Sequence, residues 1–118
     1  MSLHVTFNDI EKQRIKKLVG GFCKERIPDH QRCQIKVFYE VYEYDVKIIE
    51  CRPCSIGSHL WTENPIAKFQ YDPDTLGWHL YSMGGSGKWE KYPELKPTCH
   101  LKALIEEIEK DPYFVFWG

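Results

Sequence analysis

The fold is decided by the stretch Val46-Lys-Ile-Ile-Glu-Cys-Arg-Pro53, a run rich in β-branched residues that ends in two charges. β-Branched residues favour strands, and side chains along a strand point alternately to its two faces. Glu50 and Arg52 therefore leave the same face as Ile48. We predict a central strand over residues 46–52, whose far end presents an acid and a base side by side.

Further strands are predicted on both sides of this one. Residues 34–42 alternate between apolar and polar side chains, and only residues 43–45 separate them from the central strand. So short a connection permits only an antiparallel hairpin. Three further strand patterns, bounded by turn-forming residues, occupy residues 66–71, 78–82 and 89–92. The middle of the chain is thus predicted to be an antiparallel meander, with residues 53–65 as a loop.

A first helix is predicted over residues 8–26. Asn8 is a capping residue, Glu11 follows it three positions later, and apolar residues then recur at helical spacing. Gly20 and Gly21 interrupt this helix, which indicates close packing or a bend there. Its exposed side is basic, and solvation is the default interpretation of such a side. The basic residues are Lys12, Arg14, Lys16, Lys17 and Lys24.

The second helix and the end of the chain complete the predicted fold. Thr98 is a capping residue, and Leu101, Leu104, Ile105 and Ile108 then recur at i, i+3, i+4 and i+7. The apolar residues 113–117 predict a last strand that returns to the sheet. We therefore expect an α+β fold: an antiparallel meander of about five or six strands packed against an N-terminal and a C-terminal helix.

Composition narrows the class of protein. The net charge of −1 argues against the broad positive field that drives non-specific duplex binding. No apolar stretch approaches the ~18 residues that cross a bilayer, and the N-terminus lacks a basic region followed by an apolar run. The odd number of cysteines, five, fits a reducing compartment. We expect a single cytoplasmic domain over residues 1–118, with no membrane partner.

Cys51 and Cys54 form a C-x-x-C motif, which can hold half of a zinc site or act as a redox pair. A zinc site needs two more ligands, and no second paired motif occurs. Four residues are candidates by type alone: Cys33, His59, Cys99 and His100. A redox motif opens a helix after a strand, whereas a loop pattern follows here. We interpret the cysteines as incidental and expect no cofactor.

Glu50, Arg52 and Lys68 form a second group, since all three come from predicted strands. The Glu50-x-Arg52 pattern is similar in outline to the acid-x-base strand of some metal-dependent nucleases. Such enzymes need a further acidic ligand to hold Mg²⁺, and none is obvious in the sequence. A structural ion-pair network on a partly buried sheet face is the alternative interpretation.

Aromatic residues form the third group, and five of them fall on or near the strands: Trp61, Trp78, Tyr81, Trp89 and Tyr92. Aromatic side chains on a sheet can stack on the bases of single-stranded nucleic acid or on a small ligand. A sheet also needs aromatic residues for its core, so some of the five are expected to be buried.

The sequence resembles the bacterial family catalogued as DUF3024, a domain of unknown function. The resemblance rests on short motifs that occur in order along nearly the whole chain. They are Arg14-Ile-Lys-Lys-Leu-Val-Gly20, Ile49-Glu-Cys-Arg-Pro53, Pro65-Ile-Ala-Lys68, Trp78, Lys88-Trp-Glu-Lys-Tyr92 and the aromatic tail ending in Trp117-Gly118. It implies one compact domain and supplies no catalytic residues. The family pattern keeps the acid-x-Arg-Pro and Ala-Lys elements but has no cysteine at positions 51 and 54, which weakens the zinc interpretation.

These patterns favour a non-enzymatic binding module that takes single-stranded nucleic acid or a small ligand on an aromatic and basic sheet face. The candidate ligand-binding residues are Glu50, Arg52, Lys68, Trp78, Trp89 and Tyr92. The alternative is a metal-dependent, nuclease-like hydrolase centred on Glu50 and Lys68. A third hypothesis is that the domain pairs with itself, as a homodimer, or with a partner protein through the aromatic C-terminal strand predicted over residues 113–117.

Overall fold

The computed structural model describes residues 7–27, 35–53 and 60–117. Its first element is a continuous N-terminal helix made of α1 (Asp9–Ile15), a π-helical turn (Lys16–Gly20) and α2 (Gly21–Arg26). The Asn8 side chain accepts a hydrogen bond of 2.8 Å from the Glu11 N–H, which confirms the predicted cap. The helix bounds agree with the predicted 8–26 to within a residue.

Five strands form one sheet: β1 (Lys36–Tyr42), β2 (Asp45–Pro53), β3 (Trp61–Asp72), β4 (Gly77–Met83) and β5 (Trp89–Lys91). They lie in chain order, and every neighbouring pair is antiparallel. The predicted α+β meander is therefore confirmed. Three of the four pairings, β1–β2, β3–β4 and β4–β5, follow from short connections, because tight turns join adjacent antiparallel strands.

The N-terminal helix and α3 (Leu101–Lys110) pack on the same face of this sheet, which we call the covered face. The helices contribute an apolar stripe, and the strands contribute every second residue. The buried residues of this core include Ile15, Val19, Phe22, Val46, Ile48, Ala67, Phe69, Trp78, Leu80, Leu104 and Ile108. No helix in the described parts of the chain is long and apolar enough to cross a bilayer.

Strand β3 carries an irregularity that changes which side chains share a face. The β2–β3 register shifts between Ile48, which pairs with Ala67, and Ile49, which pairs with Pro65. Ile66 is thus an extra residue on β3, and it is buried in the core. Because a bulge reverses the alternation beyond it, Trp61 joins the face opposite the helices. The predicted loop over residues 53–65 is correspondingly too long, since β3 already begins at Trp61.

The end of the chain differs from prediction. Residues 113–117 form turns and bends, so the expected last strand is wrong. Asp111 ends α3 in a left-handed conformation, and its buried carboxylate accepts hydrogen bonds from three backbone N–H groups. The donors are Val115, Phe116 and Trp117, at 2.8–3.2 Å. These N–H groups are occupied by a side chain and cannot donate to a strand ladder.

The start of α3 also lies later than predicted. Its N-cap is His100, which makes no side-chain cap bond, and the helix begins at Leu101. Thr98 lies two residues earlier, where its hydroxyl accepts a hydrogen bond from the His100 N–H at 3.1 Å. The backbone of Thr98 pairs with Trp78 of β4. This contact fixes the entry of α3 against the sheet.

Candidate functional site

The candidate site lies on the face of the sheet opposite the helices, which we call the open face. No described helix packs on it, and alternation along the strands assigns its side chains. They include Phe38, Glu40, Lys47, Ile49, Lys68, Gln70, His79, Tyr81, Trp89 and Lys91. Compared with the covered face, this surface is rich in lysine and in polar aromatic groups.

Lys68 lies between two aromatic rings at the centre of the open face. Its Nζ is 4.6 Å from the ring centroid of Tyr81 and 5.5 Å from that of Trp89. A cation at these distances is attracted by the negative face of a ring. The contact holds the ammonium group at the sheet surface and places two partly exposed rings beside it.

One cross-strand row of the open face concentrates positive charge. From β2 to β5 the register brings together Lys47, Lys68, Tyr81 and Lys91. Lys47 and Lys68 are directly opposite each other, and like charges in that position destabilise a sheet by roughly 0.2–1 kcal/mol. Among the described residues, no carboxylate oxygen lies within 4.0 Å of these three ammonium groups. Glu40 lies opposite Lys47 on the β1 side, so the positive charge of the row is least compensated at Lys68 and Lys91, where a bound anion would be favoured.

A second ammonium-aromatic pair lies towards the other end of the open face. Lys36 Nζ is 4.5 Å from the ring centroid of Trp61. The bulge in β3 brings Trp61 to this face. The sequence contains little that indicates this bulge. Acidic residues of the face lie towards its margins: Glu40 opposite Lys47 on the edge strand β1, Asp45 at the start of β2 and Glu63 towards the start of β3.

A polar pocket of about 310 Å³ adjoins the basic row at the end formed by the strand turns. His79, Tyr81 and Lys91 line it together with Asp72. The His79 Nδ1 atom is buried and has no hydrogen-bond partner among the described residues, which is costly for a polar atom. The Asp74 N–H donates to the Asp72 carboxylate and is the main reason that the pKa of Asp72 lies below its usual value.

Two of the predicted site residues are not on the open face. Trp78 and Tyr92 are 2% and 4% exposed, and both belong to the core. Trp78 stacks on Phe7 with ring centroids 5.6 Å apart. The Tyr92 hydroxyl donates a hydrogen bond of 2.6 Å to Glu107 on α3. The expectation that these two rings share a ligand face with Lys68 and Trp89 therefore fails, because both fill the core on the covered side.

Glu50 and Arg52 bind each other at the far end of β2. Arg52 Nε donates to Glu50 Oε1 at 2.9 Å, and the Glu50 side chain is only 15% exposed. By alternation both residues leave the covered side of β2, whereas Lys68 leaves the open face. The three residues grouped from the sequence are thus not brought together, and the pair resembles the structural ion pair considered above.

The two buried cysteines of the described chain, Cys23 and Cys51, offer little chemistry. Burial raises the pKa of the Cys23 thiol to about 12. Burial also raises the pKa of Cys51, with a smaller contribution from the Glu63 carboxylate. Thiols of this kind are poor nucleophiles and poor metal ligands at neutral pH. No three His, Cys, Asp or Glu residues among those described are grouped to hold a metal ion. Cys33, Cys54 and His59 lie outside the described residues.

The open face contains residues that the sequence did not single out. Lys47, Lys91 and His79 join Lys68 and Trp89 only through the strand register. Each lies on a predicted strand or at its end and alternates with apolar neighbours. Alternation alone therefore indicates that these side chains leave the face opposite the core. What the sequence lacked was the register that puts Lys47 beside Lys68.

Comparison with known proteins assigns the chain to a family. The family model described as "Domain of unknown function (DUF3024)" matches residues 7–118, essentially the whole chain. The chain therefore belongs to this family, as its motifs indicated. No curated protein and no solved structure matches it.

Proposed function

We propose that this member of the DUF3024 family is a non-enzymatic binding module that takes single-stranded nucleic acid on the open face of its sheet. The observation that carries the proposal is Lys68, whose ammonium group contacts the Tyr81 and Trp89 rings in a cross-strand row that also contains Lys47 and Lys91. Single-strand binders combine positive charge, which follows the phosphates, with aromatic rings, on which bases stack. Both features occur on this one face.

The geometry favours a strand that crosses β2 to β5. Neighbouring strands are about 4.8 Å apart, so the row from Lys47 to Lys91 spans about 14 Å. Trp89 pairs with Met83 beside this row, where its ring is only partly buried. Phosphates would contact the lysines and a base would stack on Trp89 or Tyr81. Glu40, in the same row on β1, repels phosphate and limits the path at that edge.

His79 adds support for the same surface, because its Nδ1 atom has no hydrogen-bond partner among the described residues. His79 lines the pocket beside Tyr81 and Lys91, but the Nδ1 atom is buried, so a ligand on the row reaches it only if the pocket lining moves. A hydrogen bond from a base edge would satisfy this atom and remove its desolvation cost. The hydrolase alternative receives no comparable support, because Glu50 is paired with Arg52 on the other side of the sheet.

Fluorescence anisotropy with a labelled oligothymidylate of about 15 nucleotides at low salt tests the proposal. We expect the oligonucleotide to bind, and the binding constant to fall as salt is added. A plot of its logarithm against the logarithm of the salt concentration should have a slope of about −2 for three phosphate contacts. Lys68→Gln should reduce the steepness of that slope by about 0.7, and Trp89→Ala should weaken binding by roughly 1–3 kcal/mol.

Two variants away from the sheet serve as controls. Lys110→Gln removes an exposed lysine from α3, and Phe114→Ala removes a ring that is 75% exposed near the C-terminus. Neither should change the affinity by more than about twofold, since neither lies on the open face. The proposal is abandoned if no binding occurs at ~0.1 mM, or if the control and open-face variants behave alike.

A further inference from the structure

The two edges of the sheet differ in how much strand they expose. The edge strand β5 has only three residues, and a short edge strand is one device that keeps a sheet from pairing with another chain. The other edge strand, β1, has seven residues. Its register against β2 is regular throughout, and it contains no proline. β1 therefore lacks the short length, the bulge and the proline that protect edges in other proteins.

The outer side of β1 is open in the described parts of the chain. Alternate backbone N–H and C=O groups of an edge strand point away from the sheet. From Lys36 to Val41, no hydrogen bond joins these outward groups to another described residue. No residue of β1 is buried, although all but Lys36 and Glu40 are apolar or aromatic. A strand of this composition with open backbone groups is suited to pair with another strand.

We propose that β1 pairs with β1 of a second copy of this chain, antiparallel across a two-fold axis, so that the two five-stranded sheets become continuous. Such a contact is isologous, which means that residue i faces residue j of the second copy while j faces i. Residues directly opposite each other share a face of the sheet. Only registers that oppose two even-numbered or two odd-numbered residues are therefore allowed.

The charges of β1 favour one of these registers. With Phe38 on the axis, Lys36 of each copy lies opposite Glu40 of the other, which gives two ion pairs on the open face. Registers centred on Val37 or Tyr39 place both charges opposite uncharged residues. Those centred on Lys36 or Glu40 oppose like charges. The strand is thus complementary to itself in one register.

Both charged groups are available for this contact. Among the described residues, no cationic nitrogen lies within 4.0 Å of the Glu40 carboxylate. Lys36 contacts the Trp61 ring, but an ammonium group has three donors, and a ring contact leaves donors for a carboxylate. On the other face the same register opposes Val37 and Tyr39, an aliphatic and aromatic pair that stabilises neighbouring strands.

The pairing leaves both open faces on one side of the joined sheet and both N-terminal helices on the other, because opposed side chains share a face. Lys16 and Lys17 line a groove beside Tyr39 of β1, so like charges of the two copies approach each other near the axis. Salt at about 0.15 M screens this repulsion over about 8 Å. A contact through one edge strand buries less than the roughly 1,600 Å² of a standard interface, so we expect a weak dimer.

Sedimentation equilibrium of the full chain at about 0.15 M salt tests the pairing. We expect a reversible monomer–dimer equilibrium with a dissociation constant of roughly 10–100 μM. Glu40→Lys should raise this constant about tenfold or more, because each of the two ion pairs becomes a like-charge pair. Lys36→Glu should have the same effect for the same reason.

The double variant Lys36→Glu with Glu40→Lys restores opposite charges in the proposed register, so its dissociation constant should return to within about threefold of the wild-type value. Glu90→Lys on β5 makes the same charge change at the other edge and serves as the control, with an unchanged constant. Since Glu40 also lies opposite Lys47, urea unfolding checks that each variant is folded.

Three outcomes overturn the proposal. The first is a wild-type chain that is monomeric at about 1 mM. The second is an equal effect of Glu40→Lys and Glu90→Lys on the dissociation constant. The third is a double variant that dimerises no better than the two single variants, since that result rules out the Lys36–Glu40 register.

Discussion

Phe69 and Lys68 are consecutive residues of β3 that lie in adjacent cross-strand rows with opposite chemistry. The row through Phe69 joins Val46 to Leu80 and is almost fully buried, whereas the row through Lys68 joins Lys47 to Tyr81 and carries free charge. Burial of apolar area stabilises the first row, while opposed like charges weaken the second. The covered face therefore accounts for the stability of the fold, and the open face contains features that stability does not explain.

The largest expected difference between the two faces comes from truncating these neighbours. Phe69→Ala removes a ring that is fully buried between helices and sheet, so we expect a loss of about 3–5 kcal/mol in the free energy of unfolding. Lys68→Ala should change it by less than about 1 kcal/mol, because a lost cation–π contact is offset by relief of the Lys47 repulsion. Urea unfolding of both variants measures the contrast. Similar losses would show that the open face is also structural.

Tyr92 makes a hydrogen bond on the covered face whose contribution to stability can be tested. Its hydroxyl donates to Glu107 in a largely buried site, so Tyr92→Phe should lower the free energy of unfolding by about 1–2 kcal/mol at neutral pH. Burial is the main reason that the pKa of Tyr92 is raised above its usual value, and the Glu107 carboxylate raises it further.

The raised pKa of Tyr92 determines how the free energy of unfolding changes at high pH. The contribution of Tyr92 is fully present below the unfolded-state pKa of about 10 and is lost as pH rises towards the folded-state pKa. The stability of the wild type should therefore fall more steeply above pH ~10 than that of Tyr92→Phe. Tyr42→Phe removes a phenol that is 45% exposed on β1, at the opposite edge of the sheet from Tyr92, and serves as the matched control. If the free energies of unfolding of wild type and Tyr92→Phe vary with pH in parallel, the pKa of Tyr92 is not raised in the folded state.

The covered face and the meander could be predicted from the sequence because hydrophobic periodicity directly reports burial. Trp89 and Tyr92 were grouped on one face, yet they are three positions apart, and alternation over an odd number of residues already argues against that. The bulge at Ile66 had no comparable signal, so the position of Trp61 on the open face could not be derived.

The prediction of a C-terminal strand is wrong for a different reason. An apolar run predicts burial, but the Asp111 carboxylate takes the N–H groups that pairing needs.

The smallest expected effect is the most specific to the open face. Lys47→Gln removes the repulsion with Lys68 and also the attraction to Glu40 on β1, so we expect the free energy of unfolding to change by no more than about 0.5 kcal/mol. The same substitution should weaken oligothymidylate binding, since one phosphate contact is lost. Lys96→Gln, in the exposed connection before α3, makes the same charge change away from the sheet and should leave oligothymidylate binding unchanged. Urea unfolding and fluorescence anisotropy on both variants test this expectation. A Lys47→Gln protein that loses more than about 1 kcal/mol of stability, or that binds oligothymidylate as tightly as the wild type, would show that the lysine row serves the fold and not a ligand.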